Sequence, residues 1–107
     1  MTTLEILKAA RELLAVPERW TKGVSAKDKA GFFIDRKSEA AHSFCIVGAI
    51  GRSNIDYDSF DLACDHLRSV QPMVSSLANW NDAPERTHAE VLARFDEAIA
   101  KLEEKVC

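Results

Sequence analysis

Several shortages narrow the reading before any motif is considered. The chain has three cysteines, Cys45, Cys64 and Cys107, an odd and scattered set that forms no disulfide framework. Its four glycines and three prolines exclude a collagen-like or linker-rich chain. No apolar run approaches the roughly 20 residues that a bilayer-spanning helix needs. The opening MTTLEILKAARELL has no charged segment leading into an apolar one, so it does not read as a secretory signal. Charge of one sign is also lacking. Fourteen basic residues face 17 acidic ones, a net charge of -3 and a pI of about 5.6. A nucleic-acid-binding domain usually carries a clear basic excess, so nucleic acid is disfavoured as a partner. No phosphate-binding glycine loop, dinucleotide fingerprint, HExxH or GxSxG pattern is present. These shortages together lead us to expect a reduced, cytoplasmic protein without a membrane span, whose free thiols behave as small hydrophobes.

What remains is ordinary globular material. With 107 residues, 47% apolar and 29% charged, the chain is expected to form a single helical domain over residues 1–107. A domain of this size buries roughly 60–70% of its unfolded surface and needs no metal or disulfide to hold its core. The most apolar stretch is SEAAHSFCIVGAIGR, Ser38 to Arg52, whose middle is apolar on every side. A helix that is apolar all round is a buried helix. The stretch therefore predicts a central helix over 38–52, capped by Asp35 or Ser38.

The other elements follow from periodicity. Thr2 and Glu5 fit a capping box, and Leu4, Leu7, Ala10 and Leu14 form a stripe that Pro17 ends. Trp20–Val24 and Gly31–Asp35 hold strand-type residues around the polar SAKDKA. They predict a short β-hairpin or extended excursion at about 20–35, with an irregular loop pinned by Trp20 and Phe33 as the alternative. Tyr57, Phe60, Ala63, Cys64, Leu67 and Val70 predict a third helix with Asp56 or Asp58 as its cap. Met73–Trp80 reads as a short further helix, and Asn81–Arg86 as a loop. Thr87 and Glu90 make a second capping box. Val91, Leu92, Phe95, Ala98, Ile99, Leu102 and Val106 stripe the last helix, with Arg94 on its charged outer face. The sum is a mainly α fold: a small four- to five-helix bundle around the buried central helix (38–52) with a short excursion at about 20–35.

Two signatures stand apart, Ser43-Phe44-Cys45-Ile46-Val47-Gly48-Ala49-Ile50 and Trp80-Asn81-Asp82-Ala83-Pro84-Glu85-Arg86 running into Thr87–Val91. With Trp20 after a leading amphipathic helix, they resemble a family of short bacterial and phage proteins of unknown function. That family shows a Cys-x-x-Gly-Ala motif and a Trp-Asn-Asp loop before the final helix. The resemblance spans nearly the whole chain. It implies one helical domain and brings no activity, cofactor or catalytic residue.

Function has to be sought in constellations. A cysteine hydrolase or transferase would use Cys45 as nucleophile, His88 as base and Asp82 or Asn81 to orient the base. The opposing expectation is that Cys45, inside an apolar run, is an inert core thiol. His42-x-x-Cys45 and Cys64-x-His66 offer zinc-type ligands, but residues 64 and 66 diverge by about 200° on a helix, so no metal is expected. Loops on rigid scaffolds often carry function. Trp80, Asn81, Asp82 and Arg86, with Trp20, therefore form the preferred binding candidate, against the reading that they only build a turn. Basic residues beside Trp20, Phe32 and Phe33 could hold a single strand, but the balancing acids oppose it. The leading expectation is a small non-catalytic binding or accessory protein, with a protein or small-molecule partner and no cofactor. The cysteine enzyme is its rival, and self-association as a weak homodimer comes third. Gly48 and Gly51 should mark close approach of a neighbouring element or the helix end.

Overall fold

The computed structural model describes residues 2–53, 56–70 and 76–106. It is mainly helical, with five α-helices and one two-stranded antiparallel sheet among the described residues. Helix α1 spans Thr3–Leu13. Its capping box is complete: Thr2 N–H donates to Glu5 Oε1 at 2.8 Å, and Glu5 N–H donates to Thr2 Oγ1 at 3.1 Å. Pro17–Arg19 follows as a 3₁₀ turn, the tighter helix expected where a proline has stopped the α-ladder. Strands β1 (Ala26–Lys27) and β2 (Ser43–Phe44) pair across the intervening loop. Helices α2 (Ile46–Arg52), α3 (Tyr57–Ser69), α4 (Leu77–Asp82) and α5 (His88–Val106) complete the chain.

The core forms where α1, α2, α3 and α5 present their apolar stripes to one another. Ile6, Leu7 and Leu14 meet Ile46, Ile50, Leu67, Val91 and Phe95, all fully buried. Each such side chain contributes about 1.5–3 kcal/mol relative to an exposed one. On the outside, Arg11 grips Asp96 through two nitrogens at 2.9 and 3.3 Å, fastening α1 to α5.

The central helix is buried but shorter than the sequence suggests. It begins at Ile46 instead of Ser38, because Ser43 and Phe44 are drawn into β2. Phe44 is held from two sides. It pairs with Ala26, and its carbonyl accepts the Thr21 N–H at 3.0 Å. Cys45 then caps α2, its Sγ accepting the Gly48 N–H at 3.2 Å. Gly48 is small for a reason visible here. A Cβ at Gly48 would press into the Ser25 carbonyl oxygen, well inside contact distance. At Gly51 the nearest atoms a Cβ would meet belong to the end of the Arg36 side chain.

The excursion is a tight hairpin whose polar segment supplies a strand. Lys27 bridges both Ser43 and Phe33, and Ile34 N–H donates to the Ala26 carbonyl. Asp28 turns the chain, its Oδ1 accepting the Ala30 and Phe32 N–H groups, and Gly31 takes a positive φ of 90°. Phe32 and Phe33 stand 70% exposed, so Phe33 does not pin the segment to the helices, and Tyr57 is exposed at the start of α3. The expected helix over Met73–Trp80 appears displaced as α4, capped by Ser76 and carrying Asn81 and Asp82 inside it. Met73 and Val74, the side chains of Lys105 and Val106, and Cys107 lie outside the described residues.

Candidate functional site

The expected loop residues are organised by Asn81, which is fully buried. Its position in the last turn of α4 points its amide at the start of α2. Asn81 Oδ1 accepts the Trp20 indole Nε1–H at 2.7 Å and the Ile46 N–H at 3.1 Å. Its Nδ2 donates to the Thr21 carbonyl and to Asp82 Oδ1, both at 3.0 Å. Every hydrogen-bonding site of the amide hydrogens is thus used, and one oxygen serves two donors. Asp82 is exposed, and its Oδ1 also accepts the Gly23 N–H at 2.9 Å. Lys22 spans the same junction, donating to the Ala83 carbonyl at 2.7 Å with its ammonium 5.4 Å from the Trp20 ring centroid. Trp20, Asn81 and Asp82 are therefore brought together as a strut between the 20–23 segment, α2 and α4.

Cys45 lies beside this strut, 6% exposed. Burial pushes its thiol pKa up, backbone N–H groups of Gly48 and Val47 counter this in part, and the Asp82 charge adds to the rise. That is the setting of an inert thiol. His88 is not joined to it: among the described residues no hydrogen bond links the two. Its Nε2 donates to the Leu14 carbonyl at 2.6 Å, since a carbonyl can only accept, and its ring stands 6.2 Å from Trp20. Cys64 is half-buried, its thiol pushed up to about 11 by burial and by Asp61 and Asp65. Among the described residues no three His, Cys, Asp or Glu side chains converge as metal ligands would.

Trp80 and Arg86 belong to a different face. Arg86 donates from Nε to the Trp80 carbonyl at 2.9 Å and from Nη1 to Glu90 Oε2 at 3.0 Å. Its guanidinium lies over the Trp80 ring, 4.0 Å from the centroid. A second guanidinium, that of Arg94, lies over the same ring at 4.5 Å. Arg94 was expected on the outer face of the last helix and is instead 5% exposed. The signal was available, because residue 94 falls three after Val91 and four before Ala98, on the edge of the buried stripe. Its Nη1 donates to the Leu67 carbonyl at 2.7 Å, in the last turn of α3. Burial, reinforced by the nearby Arg86 charge, lowers its pKa from the usual guanidinium value, with Glu97 opposing. Together Trp80, Arg86, Glu90, Ala93, Arg94 and Glu97 line an open cleft of about 250 Å³. Glu90 is committed elsewhere as well: its Oε1 accepts the Thr87 N–H at 2.9 Å, closing the second capping box.

Residues 1–101 match the model of a family of unknown function (DUF6197). The chain belongs to this family. No curated protein and no solved structure matches the chain. The family match therefore brings no activity, and any functional reading rests on the residues themselves. No described helix is long and apolar enough to cross a membrane.

Proposed function

We propose that this DUF6197 protein is a small, non-catalytic binding protein, acting in the cytoplasm, whose ligand or partner enters the cleft beside Trp80. One observation carries the reading: two guanidiniums, from Arg86 and Arg94, lie over the indole of Trp80 at the wall of an open cleft. A half-buried aromatic flanked by arginines is the residue chemistry that dominates recognition surfaces. Rigid elements hold it, since Trp80 is in α4 and Arg94 in α5. Asn81, Asp82 and Trp20 serve this site from behind by fixing α4 against α2. The capped, buried thiol of Cys45 supports a structural role for that residue in preference to a nucleophilic one.

The test is a screen of small neutral, cationic and anionic fragments by two-dimensional amide NMR on the full chain. Shifts clustering at Trp80, Arg86, Glu90, Ala93 and Arg94 support the reading. Shifts clustering at Cys45 and His88, or no saturable shift anywhere, overturn it.

A further inference from the structure

Arg94 is poorly matched to its surroundings. It is nineteen-twentieths buried, and among the described residues no carboxylate lies within ion-pair distance of its guanidinium. Its Nη1 has the Leu67 carbonyl, but its Nε has no hydrogen-bond partner, and it is the one buried side-chain polar atom among the described residues so left. A buried charge is ordinarily paired and fully hydrogen-bonded. The indole face of Trp80 offsets part of the charge but supplies no acceptor oxygen. Arg86 and Glu90, both lining the cleft, pair with each other, and the Glu97 charge offsets that of Arg94 only from beyond ion-pair distance. The carboxylates nearby are engaged: Glu90 with Arg86 and Thr87, and Glu97 within 3.9 Å of Lys101.

We infer that the cleft takes an anionic group, a carboxylate or a phosphate, which meets the accessible edge of the Arg94 guanidinium and gives it the ion-pair partner it lacks among the described residues. This rests on the binding role proposed above and names the chemistry of its ligand. The planar guanidinium presents paired N–H donors matched to the oxygens of such groups. A volume of about 250 Å³ suits one small charged group, below the usual range for whole drug-sized ligands. A larger hollow of about 610 Å³, lined by Arg19, Asp28, Lys29, Glu39, His42 and Arg52, has no such orphaned atom. There the Arg52 guanidinium already donates to the Arg36 and Ser38 carbonyls.

The experiment follows the Arg94 Nε–H signal by ¹⁵N NMR while inorganic phosphate or acetate is added to the full chain. Sodium chloride matched for ionic strength is the control. A saturable shift of Arg94 Nε–H with either anion, absent with chloride, is expected, and which anion binds more tightly identifies the source as phosphate or carboxylate. Arg86→Gln should weaken it at least tenfold, whereas Arg68→Gln, at an exposed arginine on α3, should leave it unchanged. If neither anion gives a saturable shift while neutral or cationic fragments still move the cleft signals, the anion inference fails and the binding role stands. If no probe of any charge moves them, both fail. Equal effects of Arg86→Gln and Arg68→Gln would also overturn the inference, since the anion would then be screening surface charge generally.

Discussion

Replacing Asn81 by alanine should be among the most damaging single changes in this chain. The wild-type amide makes four hydrogen bonds, to Trp20, Ile46, Thr21 and Asp82. Alanine leaves the Ile46 N–H at the start of α2 and the Trp20 indole N–H without an acceptor. An unsatisfied buried donor costs about 1–3 kcal/mol, so two of them and the stranded Thr21 carbonyl come to about 3–5 kcal/mol. A domain of this size has a total stability of about 5–15 kcal/mol. The midpoint of thermal unfolding should fall by roughly 12–20 °C, at roughly 4 °C per kcal/mol. Circular dichroism against temperature and urea measures this. Asn81→Asp sharpens the test. It keeps the acceptor for Trp20 and Ile46 but buries a carboxylate beside Asp82 and loses the donor to Thr21. Burial and the like charge of Asp82 raise the acid's folded pKa above its unfolded value, and at a fully buried position they should outweigh the lowering by the Trp20 and Ile46 N–H donors. The folded state then binds more protons than the unfolded one, so the variant loses stability as pH rises and recovers it as pH falls toward 4. A loss below about 1 kcal/mol for Asn81→Ala, or an Asn81→Asp variant whose deficit is independent of pH, would refute the idea that this amide fastens α4 to α2.

Other expectations are more local. Gly48→Ala should cost about 1–3 kcal/mol by urea unfolding, because the added methyl meets the Ser25 backbone, whereas Gly51→Ala should cost less because the Arg36 side chain can swing aside. In native protein, site-resolved alkylation should leave Cys45 unmodified at neutral pH and reach Cys64 appreciably only as pH approaches 11; rapid modification of Cys45 below pH 7 would return the cysteine-enzyme reading to first place. The Glu90 carboxyl is held below its usual pKa, first by the Thr87 backbone N–H and hydroxyl and then by the Arg86 charge. Its contribution is therefore present above the unfolded glutamate pKa and lost as pH falls through the folded one, so Glu90→Gln should flatten the acid side of the stability curve, read as urea midpoint against pH.

The helical architecture was legible because local signals and packing agree. The capping boxes at Thr2 and Thr87 and the stripe of α5 each point to the element that forms. The start of α2 was not, because an apolar run reads alike as strand or helix. Its first part is claimed by long-range pairing of Phe44 with Ala26 and Trp20, which nothing local in 38–45 announces. The site divided in the same way. Trp80 with Arg86 and Trp20 with Asn81 are indeed neighbours, yet they face different sides of α4, a distinction that depends on Asn81 lying inside the helix and not in a loop. Arg94 is hard to place from sequence because its charge points to solvent while its position on the edge of the stripe points to the core.

On the proposed function, Arg94 is kept for what enters the cleft and not for what it adds to the fold. Arg94→Met, followed by urea unfolding, tests this directly. Methionine fills much of the same volume, and replacing a buried, incompletely compensated charge by an apolar side chain is often neutral or stabilising. The lost bond to the Leu67 carbonyl costs about 1.5–3 kcal/mol, and relief of the buried charge offsets it. A stability within about 1 kcal/mol of the unmodified protein is predicted. A loss of more than about 3 kcal/mol would show that Arg94 is a structural residue, and the cleft would lose its claim to be a binding site.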